Sequence, residues 1–134
     1  MKAVLDTRFF IASLESKDNN FKKWSKATLD ALERKPNLGM VPSIVILEFY
    51  KIQLEKFGKD VAEMRVNSVL KLGLELVNLD YSIAIEAAKL QCRYAELPTA
   101  DAIIAATAIT MSADYVLTDD KHINQATETR TRWI

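Results

Sequence analysis

Short apolar runs that alternate with amphipathic segments constrain this chain more than any single motif does. Ala3-Val4-Leu5 is an apolar run that stops at Asp6, Met40-Val41 is a minimal one, Leu74–Leu79 alternates, and Tyr115-Val116-Leu117 is rich in strand formers. Helical spacing fills the intervals. Phe9, Phe10, Ala12 and Leu14 predict a short helix. Asn19 or Asn20 caps a second, with Phe21, Trp24, Thr28 and Leu32 on one face and Pro36 and Gly39 past its end. Ser43 caps a third, with Ile44, Leu47 and Ile52 on its apolar side and Gly58 beyond it. Lys59–Leu72 forms a fourth, which turns Val61, Met64, Val69 and Leu72 inward before Gly73 stops it. Ser82–Ala95 forms a fifth, broken by Leu97-Pro98. Thr99 caps a sixth, whose stretch from Ala102 to Met111 is apolar on nearly every face and therefore buried. Thr127–Ile134 can add an edge strand. Strands separated by helical crossovers pair in parallel and need helices on both faces. The expected fold is α/β: a three-layer α/β/α arrangement around a central parallel sheet of about 4–5 strands. The length, 134 residues, suits a single domain spanning 1–134.

Composition excludes several classes. One Cys and one His exclude an internal disulfide and a Cys/His zinc site, and a reducing, cytoplasmic location fits. The apolar run at the N-terminus is too short for a signal-peptide core, and no run reaches the ~18 apolar residues of a membrane helix. Gly39, Gly58 and Gly73 are too far apart for a phosphate-binding loop or a dinucleotide fingerprint. Eighteen Lys and Arg cancel 18 Asp and Glu, which is not the profile of a generic polyanion binder. The distribution is uneven, however. Residues 17–35 carry six bases and three acids, 51–71 carry five and three, and 74–101 carry two and five. Basic helices flanking an acidic pocket would suit RNA; solvated helix faces account for them equally well.

Ligands of open parallel sheets bind at the carboxyl ends of the strands, and four separate stretches aim carboxylates there. Asp6 follows the first strand. Glu48 lies in the second turn of the helix after Met40-Val41. Asp101 lies in the first turn of the buried helix. Asp119 and Asp120 follow Tyr115–Leu117. Singly, each has a structural explanation: a turn or cap residue, a complement to a helix dipole, a solvated acid. Together they would repel, at about 4 kcal/mol for one pair 4 Å apart in an effective dielectric of ~20. A divalent cation removes that cost. Mg2+ takes a few carboxylates and keeps waters, and such a site suits phosphoryl chemistry.

Asp6-Thr7 after an apolar strand, Glu48 after Pro42-Ser43, the stretch Thr99-Ala100-Asp101-Ala102-Ile103-Ile104-Ala105-Ala106-Thr107-Ala108, and Val116-Leu117-Thr118-Asp119-Asp120 resemble the PIN-domain nucleases. Length and order are similar to the VapC-type toxins of toxin–antitoxin pairs, over nearly the whole chain. The block around Asp101 followed by Leu117-Thr118-Asp119-Asp120 is the most specific part. The resemblance places the family's three main acids on Asp6, Glu48 and Asp101, its fourth on Asp120 with Asp119 as competitor, and its hydroxyl residue on Thr118. It implies Mg2+- or Mn2+-dependent cleavage of RNA. Asp6 and Asp101 would hold the main ion, Glu48 would bind it directly or through water, and Asp120 or Asp119 would complete the pocket or hold a second metal. It also implies homodimerisation and inhibition by a protein antitoxin.

Arg8 departs from the family, which often has a small hydroxyl residue there. It could hold a substrate phosphate or pair with an active-site acid and weaken metal binding. A scaffold that has lost catalysis and only binds RNA or protein, and a processing nuclease without an antitoxin, are the alternatives. His122 reads as a surface helix residue rather than a proton shuttle, and Cys92 as a small buried residue. A receiver domain would need adjacent acids after the first strand, and a haloacid-dehalogenase-like phosphatase would need an acid where Arg8 stands.

Overall fold

Five parallel strands run through the centre of the protein in the order β3-β2-β1-β4-β5. The computed structural model describes residues 1–134. The elements follow the chain as β1 (Lys2–Leu5), α1 (Thr7–Glu15), α2 (Asn19–Leu32), β2 (Leu38–Pro42), α3 (Ser43–Phe57), α4 (Lys59–Leu70), β3 (Glu75–Val77), α5 (Tyr81–Arg93), α6 (Thr99–Thr110), β4 (Tyr115–Leu117), α7 (Lys121–Gln125) and β5 (Thr131–Arg132). Helices flank both faces of the sheet, so the expected three-layer α/β/α architecture is the observed one. No helix is long and apolar enough to cross a membrane.

The first strand in sequence is the middle one in space. Val4 lies beside Met40 of β2 and Val116 of β4, and Leu5 lies beside Leu117. Ala3, Val4, Leu5, Met40 and Val116 are all fully buried, as expected of parallel strands covered on both faces. The same core takes Phe9, Phe49, Ile104 and Ile123 from the helices. A second core joins α5 to α6 through Ile83, Leu90, Ala102, Ala105 and Ala106. Every residue of α6 from Ala102 to Ala108 is buried. Helix α6 thus serves both cores, which holds its N-terminal turn, and Asp101 with it, in place.

Several local expectations are corrected. The cap of α2 is Asp18, not Asn19 or Asn20; its carboxylate accepts from the Asn20 N–H at 2.8 Å. Pro42 and Pro98 precede α3 and α6, so Ser43 and Thr99 are first helical residues rather than caps. The freed Ser43 Oγ accepts from the Leu79 N–H at 3.2 Å, tying α3 to the loop before α5. Leu47 and Met64 are 59% exposed. Helix α3 buries the stripe Val45, Phe49, Gln53, and Leu47, two positions from Val45, falls on the opposite side. Met64 stands in the same relation to buried Ala62 on α4. Cys92 is exposed.

Because Ile104 is fully buried in the core under the sheet, Ile104→Ala should cost about 2–5 kcal/mol. A lowered urea midpoint with an unchanged slope would report it.

Candidate functional site

The parallel register brings the residues that follow β1 and β4 side by side. The Asp6 N–H donates to the Leu117 carbonyl at 3.3 Å, and the Thr118 hydroxyl donates to Asp6 Oδ2 at 2.6 Å. Asp6 leaves the strand with extended dihedrals and caps α1, its Oδ1 accepting from the Thr7 N–H at 2.7 Å. It is only 3% exposed. Burial pushes its pKa up to about 6, against the pull of the Thr118 and Thr7 hydrogen bonds and with help from the charges of Glu48 and Asp120.

Glu48 comes to the same place from α3. The Thr7 hydroxyl donates to Glu48 Oε1 at 2.7 Å and fixes it beside Asp6. Asp101 projects from the first turn of α6 and is half-buried. No protein group donates a hydrogen bond to it. Burial and then the charges of Asp120, Asp6 and Glu48 raise its pKa to about 7, with His122 acting the other way. Asp120 caps α7: its Oδ1 accepts from the His122 N–H at 2.7 Å, while its own N–H donates to Thr118 Oγ1 at 2.9 Å. Thr118 therefore touches both Asp6 and Asp120.

The two adjacent acids after β4 have different surroundings. The Arg8 Nε donates to Asp119, and that hydrogen bond holds the Asp119 carboxyl below the usual range and raises Arg8. Asp120 has no such cation. The open question about Arg8 is thus answered for the resting protein: it pairs with an acid, and that acid is Asp119.

Asp6, Glu48, Asp101, Asp120 and the Arg8–Asp119 pair line one cavity of about 420 Å³, with Ile11, Ile52 and Trp133 among its apolar walls. All the expected site residues lie there except Thr118, which supports two of them from beneath. Three contributors escaped the sequence reading. Thr7 was visible in the Asp6-Thr7 pair but its partner Glu48 was not. Trp133 reaches the cavity from the chain end through β5. His122 is no plain surface residue: its Nδ1 is 3.2 Å from Asp120 Oδ1 and 3.9 Å from Asp101 Oδ2.

Such a cavity can relieve its charge in two ways, by holding protons, as the raised Asp6 and Asp101 do, or by holding a cation. The donor set, four carboxylates with room for waters, fits a hard divalent ion.

The sequence pattern of the PIN domain matches residues 3–128. No curated protein matches the chain in sequence. Among solved structures, a chain of the VapBC2 complex from Rickettsia felis, bound to a DNA fragment from its promoter, superposes with a TM-score of 0.82 at 17% identity, covering 100% of this chain and 99% of that one. A chain of DNA-bound VapBC from Salmonella typhimurium gives 0.80 at 17% identity, covering 99% and 98%. VapC20 from Mycobacterium tuberculosis, described as a sarcin–ricin loop cleaving toxin, gives 0.73 at 17% identity, covering 92% and 94%. At these identities the likeness is one of fold.

The raised pKa values carry a sign. Asp6 and Asp101 rise from 3.8 to about 6 and about 7, so their stabilisation is complete below pH 4 and is lost as pH climbs through 6 to 7. Asp119, shifted down, contributes no slope in that window. Melting in EDTA should therefore show a lower Tm at pH 8 than at pH 5, and Asp101→Asn should flatten the difference. In a second test, Thr118→Val removes the hydrogen bond that favours ionised Asp6, so carboxyl-detected NMR titration should find the Asp6 pKa above its wild-type value.

Proposed function

The chain belongs to the PIN-domain family, and on that premise we propose that it is a metal-dependent endoribonuclease, the toxin of a type II toxin–antitoxin pair acting in the cytoplasm. The observation that carries the reading is the convergence of Asp6, Glu48, Asp101 and Asp120, from four separate stretches of chain, on one cavity at the carboxyl ends of the strands.

Asp6 and Asp101 would hold Mg2+ or Mn2+, with Glu48 binding directly or through water and Asp120 completing the set. The bound ion would supply Lewis acidity to the scissile phosphodiester and an activated water to attack it. The protein's own groups prepare that chemistry. Thr7 and Thr118 hold Glu48 and Asp6 in place by hydrogen bonds, which limits the reorganisation that binding would need. Glu48 orients the hydrolytic water. Arg8, resting on Asp119 at the cavity edge, is half exposed and can exchange that carboxylate for a substrate phosphate, which its planar fork suits.

The partners follow the same line. The Rickettsia and Salmonella structures are VapBC complexes on DNA, which supports a protein antitoxin. The cleavage described for VapC20 supports RNA as substrate. Exposed Leu47 and Leu54 line one hollow of α3 with half-buried Ile46 and Tyr50, a contiguous apolar patch of the kind that marks an interaction surface, which supports a homodimer. A processing nuclease without an antitoxin would use the same cavity. The Arg8–Asp119 pair favours a second reading, a catalytically impaired module that binds RNA or protein. That module would gain no Mg2+- or Mn2+-linked rise in Tm.

Purified protein should cleave RNA with Mg2+ or Mn2+ and stop in EDTA. Asp6→Asn and Asp101→Asn should each lose activity by on the order of a hundredfold or more, given that losing even a supporting partner of a metal ligand costs 10–100-fold. Wild-type rates in both variants would sink the assignment.

A further inference from the structure

The chain has a single histidine, and it stands at the acidic cavity. His122 lies in the first turn of α7, with its ring two-thirds covered. One of its ring nitrogens and one carboxylate oxygen each from Asp101 and Asp120 all lie within 4.8 Å of one another. The two separations involving the ring, 3.2 Å to Asp120 and 3.9 Å to Asp101, can be compared with coordination geometry. Octahedral ligands at about 2.1 Å from an ion sit about 3 Å apart when adjacent and about 4.2 Å apart when opposite. The 3.2 Å separation, itself a hydrogen bond, is close to that of adjacent ligands, and 3.9 Å falls between the two values, so a small shift would bring the three groups onto one ion. Asp101, which accepts no hydrogen bond from the protein, has its lone pairs free for that role.

We infer that His122 is itself a metal ligand, forming with Asp101 and Asp120 a mixed nitrogen–oxygen subsite that selects Mn2+ and later divalent ions over Mg2+. The inference rests on the metal-dependent reading above and narrows it. Carboxylates and water serve Mg2+ and Mn2+ alike. An imidazole adds a softer donor, which suits transition ions, and affinity at nitrogen-containing sites rises along the series from Mn2+ onward. The competing arrangement is a plain ion pair, in which a protonated ring leans on two acids and stays off the ion.

One measurement separates them. Tag-free wild-type protein in a buffer without amines is loaded with less than one equivalent of Mn2+, and pulsed electron paramagnetic resonance is read for coupling to a directly bound imidazole nitrogen. With one histidine in the chain, no other imidazole can give that signal. The expected result is nitrogen coupling in the wild type. In His122→Ala the coupling disappears, Mn2+ affinity drops by on the order of tenfold, and Mg2+ affinity is nearly unchanged. Mn2+ bound tightly by the wild type without nitrogen coupling overturns the inference and leaves the metal-dependent reading standing. No Mn2+ binding by the wild type, or binding that Asp101→Asn does not weaken, overturns both. The wild-type spectrum alone is decisive, so the test does not depend on the folding of a variant.

Discussion

Everything at the cavity depends on the parallel pairing of β1 with β2 on one side and β4 on the other. Parallel strands end at the same edge, so residues just past their ends are neighbours however far apart they are in sequence. Asp6 and Thr118 are separated by 112 positions and joined at 2.6 Å. A slip of one residue would turn Asp6 from the edge into a face of the sheet. Complete burial of Ala3, Val4 and Leu5 forbids that slip, because it would place the carboxylate in the apolar core. The hydrophobic register and the polar site are thus set by the same contacts.

The cavity's charge is managed by a few directed hydrogen bonds. Two threonines do most of it. Thr118 donates to Asp6 and accepts from the Asp120 N–H, and Thr7 donates its backbone N–H to Asp6 and its hydroxyl to Glu48. Neither neutralises anything; they fix where the carboxylates are. The remaining repulsion is left in place, which is why burial and mutual charge hold Asp6 and Asp101 well above the ordinary carboxylate range. Only Asp119 is discharged, by Arg8. A site built for structure would pair its other acids in the same way, because unpaired buried charge is costly. None of the other four has a Lys or Arg partner, and only His122 stands beside Asp120 and Asp101, so protons or a bound cation are the two means left of relieving their charge.

The strands, the buried α6 and the acids at strand ends were legible because each has a local signature: an apolar triplet, an all-apolar helix, an Asp directly after a strand. Capping was less legible. Pro42 and Pro98 shift the helix starts by one residue, which makes Ser43 and Thr99 look like caps. The outward turn of Leu47 and Met64 was hidden because the choice of buried stripe depends on how α3 and α4 pack on the sheet, which composition does not encode. His122 and Trp133 were misjudged or missed for a common reason. Trp133 lines the cavity and His122 lies against two of its acids only through the return of the chain by way of α7 and β5, and nothing within a few residues of either announces that return.

The neutral total of the chain argues against a polyanion partner only if its charges are spread evenly, and they are not. Setting aside the four repelling acids and the Arg8–Asp119 pair leaves 13 acids against 17 bases. Trp24 on α2 packs tilted at 5.6 Å from Trp133, a wall of the cavity, so the inward face of α2 buttresses the site while Lys22, Lys23 and Lys26 are exposed. Ile52 of α3 forms another wall, and the basic stretch 51–71 begins beside it. The acidic stretch that includes α5 packs instead behind α6. Exposed i,i+4 pairs such as Lys26–Asp30 fix little of that charge in place. Lys22 and Lys26 line a separate hollow with Asp30 and Glu33, and Lys51 lines another on α3, so the excess base is spread over the helices and Arg8 is the one Lys or Arg that lines the acidic cavity, where it can position a phosphate.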